Sequence, residues 1–212
     1  MRMAHAKRSL ALIISLLLST TVAAAQDDSA FLKSEEIRAA YNEASQHWLP
    51  SPTLLANAFV SAEDKNFFQR SASRSTLTRT IGNWYPDGQF VDSTPLTIAL
   101  AQALDHDEIL DWILHKVFLG QSCFGVDGAS GAYFGKAAAD LSLAEAAYLA
   151  ILPKGPSLFH PVRNHERALE RRNWVLKSMS EQGFASAAEA EAAISAPLGV
   201  LIPLASCPDA QK

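Results

Sequence analysis

Apolar residues recur along most of this chain at helical spacing. Between 51 and 63, Ala56, Phe59 and Val60 lie seven, four and three positions before Glu63, so a helix carries that carboxylate on its apolar stripe. Asp64 falls about 100° further round and is expected to face elsewhere. Ser51-Pro52 suits the start of this helix, with Ser as cap and Pro in the first turn. A second stripe, Leu110, Ile113, Leu114, Val117 and Phe118, predicts a helix over 107–119 with all five in the core. Ser142 and Glu145 form a capping box before the apolar run 146–152. A further helix is expected over 166–182, stopped by Gly183, and the alanine-rich stretch 185–196 reads as a last helix. Alternating strand patterns are scarce, so the chain reads as all-α: a single compact helical domain.

The first residues behave differently. Arg2, Lys7 and Arg8 precede an apolar run over 10–18, and Ala23-Ala24-Ala25 gives an Ala-x-Ala site before Gln26. That is a secretory signal over 1–25, with retention as an uncleaved anchor as the alternative. The run is short against the roughly 20 residues of a membrane span. About 187 residues then remain, enough for one domain with a real core: a lead-in helix over 26–49, the domain proper over 50–200 and a tail over 201–212. Without the three basic residues of the leader, 15 Lys and Arg face 22 Asp and Glu, net −7. Such a surface repels phosphate backbones, which argues against nucleic acid as a partner. Export to an oxidising compartment leaves Cys123 and Cys207 free to pair, although spacing does not settle whether they do. The six histidines show no metal-ligand spacing, and His106, His115, His160 and His165 read as surface or cap residues. Arg167, Arg171 and Arg172 read either as phosphate or glycan contacts or as the edge of a solvated helix.

If Glu63 lines a partly dry cleft, desolvation moves its pKa up toward the range useful to a general acid or base; the alternative is a solvated helix-end acid. The residues around it carry a resemblance. AFVSAEDKNFF (58–68), STLT (75–78), EILDWILHKVFLG (108–120), GVDGASGAYFGK (125–136), and PKGPSLFHP with RALERRNWVL (153–176) occur in the order of the five signatures of the peptidoglycan glycosyltransferases. The chain therefore resembles glycosyltransferase family 51, the polymerase domain of bifunctional penicillin-binding proteins, over roughly 50–200.

The resemblance implies a lysozyme-like architecture and a periplasmic location, with anchoring in the inner membrane if the leader is retained. It implies that Glu63 is the base, that the ligand is a lipid-linked peptidoglycan precursor or a glycan strand, and that other cell-wall synthases are candidate partners. It implies substrate contacts at Ser75, Thr76, Thr78 and Lys154, and a divalent metal such as magnesium near the pyrophosphate. The chain also departs from the family. The second acid position reads Ser93, leaving neighbouring Asp92 as its candidate replacement, although Pro95 favours a helix that begins beyond that point. The Gly-Gly, Gln-Gln and Lys positions of the second signature read Ser73-Arg74, Arg79-Thr80 and Asn83. Arg74 and Arg79 are candidate phosphate contacts in place of the lost lysine, or else surface charge. Twelve positions separate Glu63 from Ser75, where the family has a longer lipid-contacting jaw. Three readings stand at this point: a glycosyltransferase, a catalytically inactive scaffold for cell-wall synthases, and a lytic transglycosylase that needs a single Glu.

Overall fold

The computed structural model describes residues 33–82 and 93–207; the leader over 1–25, Asn83 and Asp92 lie outside them. Within them the chain forms α1 (Ser34–Ser45), α2 (Thr53–Glu63), α3 (Thr76–Gly82), α4 (Ser93–Ala103), α5 (His106–Lys116), α6 (Val126–Phe134), α7 (Leu143–Ile151), α8 (His165–Glu181) and α9 (Ala187–Ser195), linked by short 3-10 turns. A single antiparallel bridge, Phe118 with Phe124, is the extent of β pairing among the described residues. The all-α reading holds, and the architecture is lysozyme-like. No helix among the described residues is long and apolar enough to cross a membrane.

The middle of the fold is α7. Every residue from Ala144 to Ile151 is buried, as expected of a helix that is apolar on all sides. Ala146, Ala147 and Ala150 are small enough to let neighbours approach closely, and α8 and α2 pack against it most extensively. Its start is the expected capping box: the Glu145 amide donates to the Ser142 hydroxyl at 3.4 Å, and the Ser142 amide donates to Glu145 Oε2 at 2.8 Å. Because α2 ends and the turn after α7 begins on adjoining parts of this core, Glu63 and Lys154 are brought together.

Several helix boundaries differ from the sequence reading. Ser51 does not cap α2: the N-cap is Pro52, without a side-chain bond, and the Ser51 hydroxyl donates instead to Asp111 on α5. Helix α5 opens at His106, one residue before the expected start, behind a capping box of Asp105 and Glu108, and it stops at Lys116. Val117 is buried but extended (ψ 136°), so the helical register breaks and Phe118, expected in the core, is 41 % exposed. Helix α4 starts at Ser93, with Pro95 in its first turn rather than at its head. His115 is not a surface residue. Its side chain is 6 % exposed, its ring stacks on Trp48 with centroids 4.5 Å apart, and its nitrogens meet the Asp111 and Leu49 carbonyls at 2.8 and 3.0 Å.

The last described residues form a strap across α6. The Leu201 and Ala205 amides donate to the Tyr133 and Ala132 carbonyls, the Cys207 amide donates to the Gln121 carbonyl, and a disulfide joins Cys207 to Cys123. Gly128 is required beneath it, since a Cβ there would lie 2.9 Å from Cys207 Sγ.

Candidate active site

Helix α2 ends at Glu63 because Asp64 leaves helical geometry (φ −155°, ψ 85°). The carboxylate of Asp64 then turns inward rather than away: Oδ2 accepts from the Thr76 amide at 3.1 Å, Oδ1 accepts from the Asn66 amide at 3.3 Å, and Arg70 lies 3.4 Å off. Asp64 and Glu63 thus meet different partners, as expected of side chains that do not share a direction. From the other side, the Thr76 hydroxyl donates to the Glu63 carbonyl at 3.0 Å. The Ser75 hydroxyl is buried and accepts from the Leu77 amide, opening α3. The second signature is thereby tied to the residue that matters in the first.

Glu63 itself is 13 % exposed at its side chain. Its Oε1 is buried with no hydrogen-bond partner, and Oε2 lies 3.9 Å from Lys154 Nζ. Lys154 comes from the turn Leu152–Lys154 that follows α7, and its own side chain stays 46 % exposed. Arg171 reaches the same corner from α8, donating Nη2 to the Ala62 carbonyl at 3.2 Å while its guanidinium lies 4.1 Å over the Trp174 ring. Burial raises the Glu63 pKa above the usual carboxylate value, and the Lys154 and Arg171 charges pull it part of the way back. The C-terminal end of α2 adds a partial negative charge that also disfavours the anion. The result is a dry carboxylate, held partly toward its neutral form, beside a cation with room to meet an anionic group.

The structure gathers Glu63, Ser75, Thr76 and Lys154. Thr78 is buried nearby on α3 with its hydroxyl unpaired. Arg74 and Arg79 are both exposed, and the cations that act on Glu63 are Lys154 and Arg171 instead. Arg172 is fully buried and donates to the carbonyls of Ile194, Ala196 and Pro197, so it is a brace and not a ligand contact. The sequence reading missed the part played by Asp64 and did not separate Arg171 from its neighbours. One signal was present: Arg171 and Trp174, at i and i+3, share a helix face. As for magnesium, no group of three or more His, Cys, Asp or Glu among the described residues is arranged to hold a metal ion. No step is routed through a metal ion.

The arrangement is a helical, lysozyme-like domain with one desolvated glutamate flanked by cations. Residues 91–180 match the family model described as Transglycosylase. The chain is 34 % identical over 176 residues to penicillin-binding protein 1A of Aquifex aeolicus, a match covering 70 % of this chain and 24 % of that protein. It is 32 % identical over 174 residues to penicillin-binding protein 1A of Pseudomonas aeruginosa, covering 69 % and 21 %. The crystal structure of penicillin-binding protein 1A from Haemophilus influenzae superposes with a TM-score of 0.50 at 30 % identity, over 71 % of this chain and 17 % of that one. Together the matches show a transglycosylase domain of the penicillin-binding proteins, glycosyltransferase family 51, in this chain. It spans about a quarter or less of the length of these relatives.

Proposed function

We propose that this chain is a periplasmic peptidoglycan glycosyltransferase that takes lipid-linked disaccharide-peptide as substrate, with Glu63 as its base. The observation that carries this reading is the state of Glu63: a buried Oε1 without a partner, next to an Oε2 facing Lys154. In the reaction, Glu63 takes the proton of the acceptor sugar hydroxyl, the freed oxygen attacks the anomeric carbon of the donor, and the pyrophosphate departs with the bonding electrons. Lys154, half exposed and 3.9 Å from Glu63, is placed to meet the growing negative charge. A base of this kind works better when its pKa is raised toward neutrality, so the rate should climb with pH as Glu63 ionises.

The test is polymerisation of lipid-linked precursor by the exported chain, with and without added magnesium. Wild type should build glycan strands, and Glu63→Gln should lose about 10²–10⁴-fold in rate while remaining folded. Failure of wild type both to polymerise and to bind the precursor would overturn the proposal.

One observation favours a second reading. Asp64 is tied to Thr76, Asn66 and Arg70, which leaves Glu63 as the uncommitted carboxylate of the described corner. A single free acid suits a catalytically inactive scaffold that docks onto other cell-wall synthases, or a lytic enzyme in which one Glu acts as acid and then base. Equal capture of a synthase by wild type and Glu63→Gln, without polymerisation, would support the scaffold. Release of soluble muropeptides from sacculi by wild type alone would support cleavage.

A further inference from the structure

Two of the buried polar atoms that lack partners belong to the same corner. Glu63 Oε1 has no donor and Arg171 Nε–H has no acceptor. Arg171 is held beside Glu63, because its Nη2 donates to the carbonyl of Ala62, the residue before Glu63, and its charge acts on the Glu63 carboxylate. The guanidinium has little freedom to leave: its Cζ lies 4.1 Å from the centre of the Trp174 ring, which is itself 42 % exposed and also has Lys65 Nζ over it at 5.3 Å. Lys65 is engaged in turn by Glu181 at 3.0 Å. Leaving a buried donor and a buried acceptor both unmade is unfavourable for each group, and a shared bond between them removes both penalties.

We propose that Arg171 is the positioning residue of Glu63, a guanidinium fixed on Trp174 and the Ala62 carbonyl whose free Nε–H meets Oε1 whenever the carboxylate is ionised. When Glu63 takes a proton the bond weakens, and Oε1 returns to the unpaired state seen in the structure. Arg171 thus holds the anion in the orientation from which it accepts a proton, while Lys154 remains free for the ligand. The other groups facing Glu63 do not compete for this role. Thr76 binds its backbone carbonyl, Asp64 is held by Arg70, and Lys154 approaches the opposite oxygen. Arg172, one position on, is turned the other way and saturated by carbonyls.

The proposal rests on Glu63 being the base for its meaning in the reaction, but the coupling is measured without turnover. Arg171→Met, Glu63→Gln and the double variant are melted between about pH 4 and about pH 8, on either side of the ionisation of a raised carboxylate. In the wild-type background the Tm loss from Arg171→Met should grow by about 2–4 °C as pH rises and Glu63 ionises. In the Glu63→Gln background it should be the same at every pH. Equal, pH-independent losses in both backgrounds would make Arg171 a packing residue and overturn the proposal. Should Arg171→Met fail to fold, Arg171→Lys serves: it keeps the charge but loses the Nε–H and the planar stack, and should retain only part of the pH-dependent difference. A pH-dependent difference that Arg171→Lys retains in full would also overturn the proposal. If wild type shows no glycosyl transfer, the reading of Glu63 as a base falls, and the Arg171 coupling is still decided by the melts.

Discussion

Around Glu63 the chain leaves buried polar atoms unpaired, namely Glu63 Oε1, Thr78 Oγ1 and Arg171 Nε, whereas the face built from α6, α7 and the tail pairs the polar groups it buries. There the Tyr133 hydroxyl donates to the Leu119 carbonyl at 2.8 Å, and Lys136 donates to both oxygens of Glu145 at 2.8 and 3.0 Å. Burial alone would push Glu145 up, but Lys136 and Ser142 outweigh it and hold the carboxyl low. Glu63 and Glu145 are both acids on the edge of the same core, and their environments drive them in opposite directions. The strap face satisfies the polar groups it buries, and the α2 corner leaves a buried carboxylate oxygen without a partner.

Breaking the strap face should have the largest effect on folding. The disulfide closes a separation of 84 residues, and chain-entropy arguments give such a loop about 4–5 kcal/mol. Cys207→Ser should therefore lower stability by an amount of that order in denaturant titration, with Glu63 still in place. A loss below about 1 kcal/mol would mean that the hydrogen bonds of the strap hold it unaided.

Arg172→Met should rank next. It strands the carbonyls of Ile194, Ala196 and Pro197 at the junction of α8 and the tail, and should remove about 3 kcal/mol. The smallest effect, and one of opposite sign, belongs to the corner. Because burial raises the Glu63 pKa in the folded state, its favourable contribution is complete below the unfolded carboxylate value and is lost as pH rises through the folded one. Glu63→Gln should thus match wild type at acid pH and melt higher than wild type above the folded value. A wild type that is the more stable at neutral pH would show that the corner is satisfied after all, erasing the contrast.

Periodicity made the strap side readable in advance. The capping box at Ser142 and Glu145, the stop at Gly183 and the buried run from Leu110 to Leu114 follow from spacing and from residues with one good conformation. One misreading lies where a helix stops. Phe118 sits one residue past a break at Val117 and was assigned to the core by extending a helix that the chain abandons. Ser51 and His115 were misplaced for a related reason, since long-range partners, Asp111 and Trp48, override their local preferences. Glu63 could be singled out because an acid on an apolar stripe is anomalous by itself. Arg171 could not be told from Arg172, because adjacent residues on one helix diverge only when the rest of the protein surrounds them.

The clasp between Asp64 and Thr76 makes the segment from Lys65 to Ser75 a closed handle, entered and left at nearly the same spot. Its length is accordingly free to vary: a long excursion or a clipped turn hangs from the same knot, and the Glu63 corner need not notice. Lengthening or trimming that handle is then an engineering operation with fixed attachment points.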